Sequence, residues 1–168
     1  MVVYCIDTSA LIDGWKDYPP ETFGVWNNIK DLISAGRLTS PYHVLDELEV
    51  GGDDLFTWCN EKDFFCSPTS ETPGIVTDMI NNFPDFKPKK TRKVDWADPW
   101  VIAIAIENDF TVISHETRKQ LQEKTYYIPD ICDDYDVEHV TFLELIKKEG
   151  WTFFLKSCGL KISDYKKN

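Results

Sequence analysis

The chain has 168 residues, a length that suits one compact domain with a full hydrophobic core. Apolar residues make up 42% and aromatic residues 14%, which excludes a disordered chain. The formal net charge is -11, from 29 acidic and 18 basic residues, which excludes a general nucleic-acid coat protein. Any contact with nucleic acid must therefore depend on a local basic patch or on a bound metal.

The cysteines and the N-terminal residues indicate the cellular compartment in which the protein is expected. The number of cysteines is odd, at 5, and no two have C-x-x-C spacing, so neither a zinc site nor a disulfide framework is predicted. The residues before Asp7 lack the basic flank of a signal peptide, and no apolar run approaches the roughly 18 residues of a membrane span. We therefore expect a soluble, cytoplasmic protein with reduced thiols and no membrane contact.

The first predicted element is a buried strand over residues 2–6, which are apolar and β-branched. Asp7 follows it directly, at the position where open α/β sheets bind their ligands. Thr8 and Ser9 could cap the next helix or help to orient Asp7 and a bound water. The alternative is that Asp7 only opens a turn. The next residues look helical, and a loop is predicted from Gly14 to Pro20.

Two helices follow. Apolar residues three and four apart predict an amphipathic helix from Glu21 to Gly36, and the Ser40-Pro41 pair opens a helix that continues through Val50. On a helical wheel of the second helix, Glu47 and Glu49 flank the buried arc, while Asp46 points furthest from it. Glu47 can therefore reach an internal site, with Glu49 as a substitute. A solvated acidic face is the alternative interpretation.

A basic segment follows two further predicted helices, over residues 53–62 and 72–84. Residues 87–93 contain five cations among seven residues and lead towards Asp98. Such a run is commonly a solvated loop. Because it precedes a carboxylate, it could instead steer a nucleic-acid backbone towards a metal. The basic residues considered for this role are Lys89, Lys90, Arg92 and Lys93.

The Asp98-Pro99 pair predicts the start of a helix, with Asp98 as the N-cap and Pro99 in the first helical position. Residues 100–106 are all apolar, so this helix is predicted to be buried on every side. Asp98 would then lie at the positive end of the helix dipole, which favours an ionised carboxylate and suits a bound cation. The alternative is that Asp98 only caps the helix.

A second buried strand is predicted over residues 110–113, and Ser114-His115-Glu116 follows it. The pattern of Asp7 is thus repeated, with a carboxylate just beyond the carboxyl end of a strand. His115 could be a ligand or a base, although a lone histidine is more often neither.

The last predicted elements are short. Residues 126–132 form a loop or a short helix, and residues 137–140 suggest a third strand. Thr141 and Glu144 form a capping box that opens a helix to Lys148.

Carboxylates therefore fall at strand ends or helix edges, without histidine or cysteine partners. Such clusters suit Mg²⁺ or Mn²⁺. Two such ions about 4 Å apart can activate water and stabilise the leaving oxygen in phosphodiester hydrolysis. Motifs of other chemistries are absent from the sequence, including the Walker phosphate loop, the G-x-G-x-x-G turn and the H-E-x-x-H zinc motif. The residues in the cluster are Asp7, Glu47, Asp98 and Glu116.

These motifs resemble those of PIN domains, including the VapC-type toxins. Residues 6–12 resemble the opening motif, residues 44–48 the second acidic motif and residues 97–105 the third. Residues 111–116 fall at the fourth, where the family usually carries Asp and this chain carries Glu. This Glu, together with residues 128–132, resembles a less characterised PIN-like branch.

The resemblance implies a three-layer α/β/α fold with a mostly parallel central sheet. It implies a single PIN-like domain over residues 1–168, with the core motifs in 2–118. A closing strand and helix are expected at about 136–150, and a C-terminal tail over 151–168.

The resemblance also implies a Mg²⁺- or Mn²⁺-dependent endoribonuclease that hydrolyses RNA, is the toxin of a toxin–antitoxin pair and forms a homodimer. By position, Asp7, Glu47 and Asp98 would bind metal and Glu116 would support them, directly or through water. Ser9 would orient Asp7. Because Glu116 is longer than the usual Asp, Asp95 is a possible substitute as the fourth ligand.

Two other functions are compatible with the sequence. One is a structure-specific DNA nuclease on the same fold, although such enzymes typically use more acidic residues and no clear second acidic set is present. The other is a catalytically inactive PIN-like binding or regulatory module, against which the retention of all four acidic positions argues weakly.

Overall fold

The computed structural model describes residues 1–87 and 95–152. Within these ranges the strands are β1 Tyr4–Ile6, β2 Leu38–Pro41, β3 Phe65–Cys66, β4 Thr111–Ile113 and β5 His139–Val140. The helices there are α1 Thr8–Asp17, α2 Val25–Ser34, α3 Tyr42–Glu49, α4 Asp54–Asn60, α5 Thr72–Asn82, α6 Asp98–Asn108, α7 Ile128–Asp134 and α8 Phe142–Lys148. None of these helices is long and apolar enough to cross a membrane.

The strands form one sheet in the order β3-β2-β1-β4-β5, and every neighbouring pair is parallel. β1 lies at the centre, with Tyr4 opposite Leu38 on one side and opposite Thr111 on the other. From β1 the chain builds outwards to β3, then crosses back to β4 and β5. The strand order therefore reverses between β1 and β4, which is where open α/β sheets bind ligands beyond the strand carboxyl ends.

α6 is the central helix of one layer. It packs against β1, β2 and β4, and it is flanked by α5 and α7. Its residues Val101 to Ala105 are all buried, as the unbroken apolar run predicts.

The opposite layer is held together by close aromatic packing. α1 contacts α3 and α4, and Gly14 of α1 lies against the ring of Phe142 in α8. That ring also stacks on Tyr18 and contacts Trp26, at centroid distances of 5.7 and 5.8 Å. The two groups of helices enclose the sheet, and the predicted three-layer α/β/α architecture is confirmed.

Several predicted boundaries are wrong. α1 continues through Gly14 to Asp17, where a loop was expected, and the ring of Phe142 packs closely against Gly14. The strand β3 was not predicted, since its two residues are too few to show a periodicity. Ser40 does not cap α3. Its hydroxyl donates instead to the carbonyl of Ile6 at 2.7 Å, and Pro41 takes the N-cap position.

The contact between α1 and α8 predicts the effect of adding one methyl group. A Cβ at Gly14 would lie 2.6 Å from the nearest ring carbon of Phe142, a ring already packed on its other sides. We expect Gly14→Ala to lower the free energy of unfolding by about 1–2 kcal/mol in urea denaturation, because overpacking outweighs the gain in helix propensity.

Gly74→Ala is the matched control, since Gly74 is also helical but has no atom near its Cβ position. This variant should be neutral or more stable than the wild type. A stabilising Gly14→Ala would contradict the packing described here.

Candidate active site

The four predicted carboxylates line one cavity of about 190 Å³ at the carboxyl edge of the sheet. Asp7 follows β1, and Glu116 lies just beyond β4, on either side of the point where the strand order reverses. Glu47 reaches the cavity from α3, and Asp98 from the first residue of α6. The fold thus brings together side chains that are up to 109 residues apart in the sequence.

Asp7 is almost completely buried, with 2% of its surface exposed. Its Oδ2 atom accepts hydrogen bonds from the backbone N–H of Ser9 at 2.9 Å and from the Ser9 hydroxyl at 2.6 Å. Its Oδ1 atom is buried and accepts no hydrogen bond from the residues that the structure describes. Burial raises the pKa of Asp7 to about 6, the Ser9 hydrogen bonds oppose this rise, and the charges of Glu47 and Glu116 add to it.

Asp98 is not the N-cap of α6, contrary to the sequence prediction. Ala97 occupies that position, its side chain makes no capping hydrogen bond, and Asp98 and Pro99 are the first two helical residues. The carboxyl group of Asp98 lines the cavity instead.

The expectation that the helix dipole keeps Asp98 ionised is also wrong for the metal-free chain. Burial raises the pKa of Asp98 to about 8, and the charges of Asp7, Glu116 and Glu47 add to the rise. The indole N–H of Trp96 acts in the opposite direction, although it makes no hydrogen bond of normal geometry. Burial and like charges therefore outweigh a dipole contribution that is typically below about 1 kcal/mol.

Glu47 is fixed by donors from two other elements. Its Oε2 atom accepts from the hydroxyl of Thr8 at 2.6 Å, and its Oε1 atom accepts from the backbone N–H of Ala97 at 3.1 Å. Glu47 therefore links the start of α1 to the start of α6. Asp46 and Glu49 are exposed and do not line the cavity, so Glu49 is not a substitute in this structure.

Glu116 is held from outside the region of the four motifs. Its Oε2 atom accepts from the backbone N–H of Ile128, the first residue of α7, at 2.9 Å. Asp95, the predicted substitute, is exposed and does not line the cavity.

Ser9 connects the two strand ends. Its hydroxyl donates to Asp7 Oδ2 at 2.6 Å and accepts from the backbone N–H of His115 at 3.0 Å. The same atom thus contacts the carboxylate of Asp7 and ties the loop after β1 to the loop after β4.

The cavity has further walls that sequence reasoning missed. Aromatic and basic side chains complete it, and no periodicity in the sequence marks them. They are Phe86, Lys87, Trp96, Tyr126 and Tyr127. The basic residues predicted to steer nucleic acid, Lys89, Lys90, Arg92 and Lys93, lie outside the described residues.

The residues of the cavity fit a hard divalent cation in donor type and in charge. All four acidic groups offer oxygen, and Asp7 Oδ1 is a buried acceptor with no hydrogen-bond partner in the structure. Across residues 1–87 and 95–152, however, no group of three or more His, Cys, Asp or Glu side chains is close enough to hold a metal as it stands. The carboxylates surround the cavity without meeting at one point.

Solved structures with a similar fold include two VapBC structures. VapBC2 from Rickettsia felis, bound to a DNA fragment from its promoter, matches with a TM-score of 0.53 and 11% identity, over 83% of this chain and 98% of that one. VapBC-1 from nontypeable Haemophilus influenzae matches with a TM-score of 0.52 and 15% identity, over 84% and 99% of the two chains. The chain is therefore an α/β protein with a VapC-like PIN fold.

Family membership follows from the sequence itself. Residues 4–153 match the model of the family described as a domain of unknown function, DUF4411, and the chain belongs to that family. No curated protein matches the sequence.

The raised pKa of Asp98 predicts how stability depends on pH without metal. The pKa of an Asp side chain is ordinarily 3.8, and that of Asp98 in the folded chain is about 8. Between these two pH values the folded chain therefore retains a proton that the unfolded chain loses. The free energy of unfolding therefore falls as the pH rises. Burial lowers the pKa of His43 and His139, so these groups oppose the trend only below about pH 6.5. In EDTA, we expect the unfolding temperature to fall from pH 6.5 to pH 8.

Asp98→Asn should remove most of this fall, whereas Asp95→Asn, at an exposed position three residues earlier, should retain it. The measurement is thermal unfolding followed by circular dichroism at each pH. An equal slope in wild type and Asp98→Asn would show that Asp98 does not hold the proton.

Proposed function

We propose that the chain is a Mg²⁺- or Mn²⁺-dependent endoribonuclease that hydrolyses RNA phosphodiester bonds. The observation that carries this proposal is the arrangement of four carboxylates around one cavity, with a buried oxygen of Asp7 that has no hydrogen-bond donor within residues 1–87 and 95–152. A cluster of carboxylate oxygens of this kind suits a hard divalent cation. Its place at the carboxyl edge of a VapC-like fold supports the assignment.

Asp7, Glu47 and Asp98 would hold the cation, and Glu116 would support them directly or through water. When bound, a divalent cation lowers the pKa of water and neutralises charge on the phosphate. Binding of the cation would also remove the repulsion that raises the pKa values of Asp7 and Asp98 in the metal-free chain.

The other residues of the site act by holding these carboxylates in place. Ser9 donates twice to one oxygen of Asp7, which leaves the second oxygen for the cation. Thr8 and the backbone of Ala97 fix both oxygens of Glu47. Such outer hydrogen bonds typically change metal affinity or activity by 10- to 100-fold.

The proposal includes a biological role. The similar folds are those of VapBC structures, and we propose that this chain is likewise the toxin of a toxin–antitoxin pair, with an antitoxin protein as partner and a homodimer as the assembly. The whole chain, residues 1–168, would form one PIN-like domain. The segment with Lys89, Lys90, Arg92 and Lys93 would contact the phosphates of the RNA.

Asp98→Asn tests the metal-dependent chemistry. This variant replaces a carboxyl oxygen that could bind the cation but keeps the size of the side chain. We expect cleavage of single-stranded RNA in Mn²⁺ to fall by about 100-fold or more, since even an outer hydrogen bond to a ligand is worth 10- to 100-fold. Mn²⁺ should raise the unfolding temperature of the wild type and not that of the variant, because an ion that binds only the folded state stabilises it.

Asp95→Asn is the matched control and should cleave RNA and respond to Mn²⁺ as the wild type does. An active Asp98→Asn protein would refute the proposal. Cleavage of branched DNA in preference to RNA would instead identify a structure-specific DNA nuclease. A wild type that neither cleaves nor responds to Mn²⁺ would indicate an inactive binding module.

A further inference from the structure

A second cavity, of about 360 Å³, shares a wall with the acidic cavity. Ser9, Glu116 and Tyr127 line both of them. The second cavity is more open, and its remaining described lining residues are Asp13, His115 and Thr117. A strand of nucleic acid whose phosphate lies in the acidic cavity would place a neighbouring nucleotide here.

The chemistry of the second cavity favours a sugar over a phosphate. All six lining residues carry side-chain groups that donate or accept hydrogen bonds, and two of the six are carboxylic acids. Among the described residues that line it, none is Lys or Arg. Negative charge without a basic side chain repels phosphate, whereas hydroxyl groups donate readily to carboxylate and imidazole acceptors.

His115 is positioned for such a contact by two neighbours. Its backbone N–H donates to the Ser9 hydroxyl at 3.0 Å, which fixes the residue beside the acidic cavity. Its Nδ1 atom lies 3.7 Å from Asp13 Oδ2, too long for a direct hydrogen bond but close enough for the carboxylate to orient the ring. Nε2 lies on the other side of the ring from Asp13, and in the neutral tautomer with hydrogen on Nδ1 it is an acceptor.

We propose that the second cavity is a ribose subsite, where His115 Nε2 accepts a hydrogen bond from the 2′-hydroxyl of a nucleotide next to the scissile phosphate. Asp13 is a positioning residue that orients the imidazole. The inference rests on the proposed ribonuclease function, and it explains how the protein would prefer RNA, because DNA lacks this hydroxyl.

The test measures binding as well as cleavage. A labelled single-stranded RNA and versions with one 2′-deoxy nucleotide at each position in turn are titrated with wild-type protein in Ca²⁺, an ion that also binds carboxylate oxygens, and binding is followed by fluorescence anisotropy. We expect one position at which the deoxy substitution weakens binding by about 3- to 10-fold, the usual worth of a neutral hydrogen bond. Cleavage of the same RNAs by the same protein in Mn²⁺ is measured in parallel.

Two substitutions of His115 then separate the acceptor atom from the bulk of the side chain. His115→Gln places an amide group near the position of Nε2 and should retain sensitivity to the deoxy nucleotide. His115→Asn places its amide near Nδ1 and should lose this sensitivity, while its Mn²⁺-induced rise in unfolding temperature, measured with intact Asp98, stays as in the wild type.

The outcomes distinguish the two proposals. If no single deoxy position weakens binding, or if the sensitivity survives in His115→Asn, the ribose subsite is wrong even where RNA is cleaved. If RNA is not cleaved but the sensitivity depends on His115, the nuclease proposal fails and the ribose subsite stands.

Discussion

The burial of Asp7 at the end of the central strand is the constraint on which the site depends. An ionised carboxylate inside a protein is unfavourable by several kcal/mol unless its oxygens find partners. Ser9 supplies two donors to one oxygen, and the other oxygen receives none from the described part of the chain. The chain thus holds an acceptor that a proton, a cation or a water molecule would satisfy. The large majority of buried side-chain oxygens are hydrogen-bonded, so this one points to a ligand.

The three neighbouring carboxylates differ in how their oxygens are stabilised. Glu47 and Glu116 accept backbone or hydroxyl donors from α1, α6 and α7, so their positions are set by the ends of helices. Asp98 has a less favourable environment, and its raised pKa reflects both burial and the nearby acidic groups. The site therefore combines two anchored carboxylates with two that are unfavourable as anions, which is a suitable starting state for capturing a divalent ion.

The sequence was informative where local patterns and strand order act together. The apolar run after Asp98 predicted a buried helix, and Asp7 and Glu116, each just beyond a predicted strand, line the same cavity because parallel strands end at one edge. Predictions from the sequence were wrong where a tertiary contact determines which hydrogen bond a side chain makes. Ser40 matches a helix cap by residue type but bonds the carbonyl of Ile6, a partner 34 residues away. The cavity's aromatic walls were not predicted, since their side chains come from separate segments with no shared periodicity.

The hydrogen bond between Glu116 and the start of α7 has a consequence for how this family is delimited. The four acidic motifs end near residue 118, yet a carboxylate of the fourth is anchored by the backbone of Ile128. The loop that carries it also pairs with β5, since the N–H of Ser114 donates to the carbonyl of Val140. A fragment bounded by the motifs would contain every acidic residue and still lack the anchors for one of them. Recombinant fragments and comparisons between relatives should therefore extend at least through α8, because the site is completed by segments that carry no acidic motif.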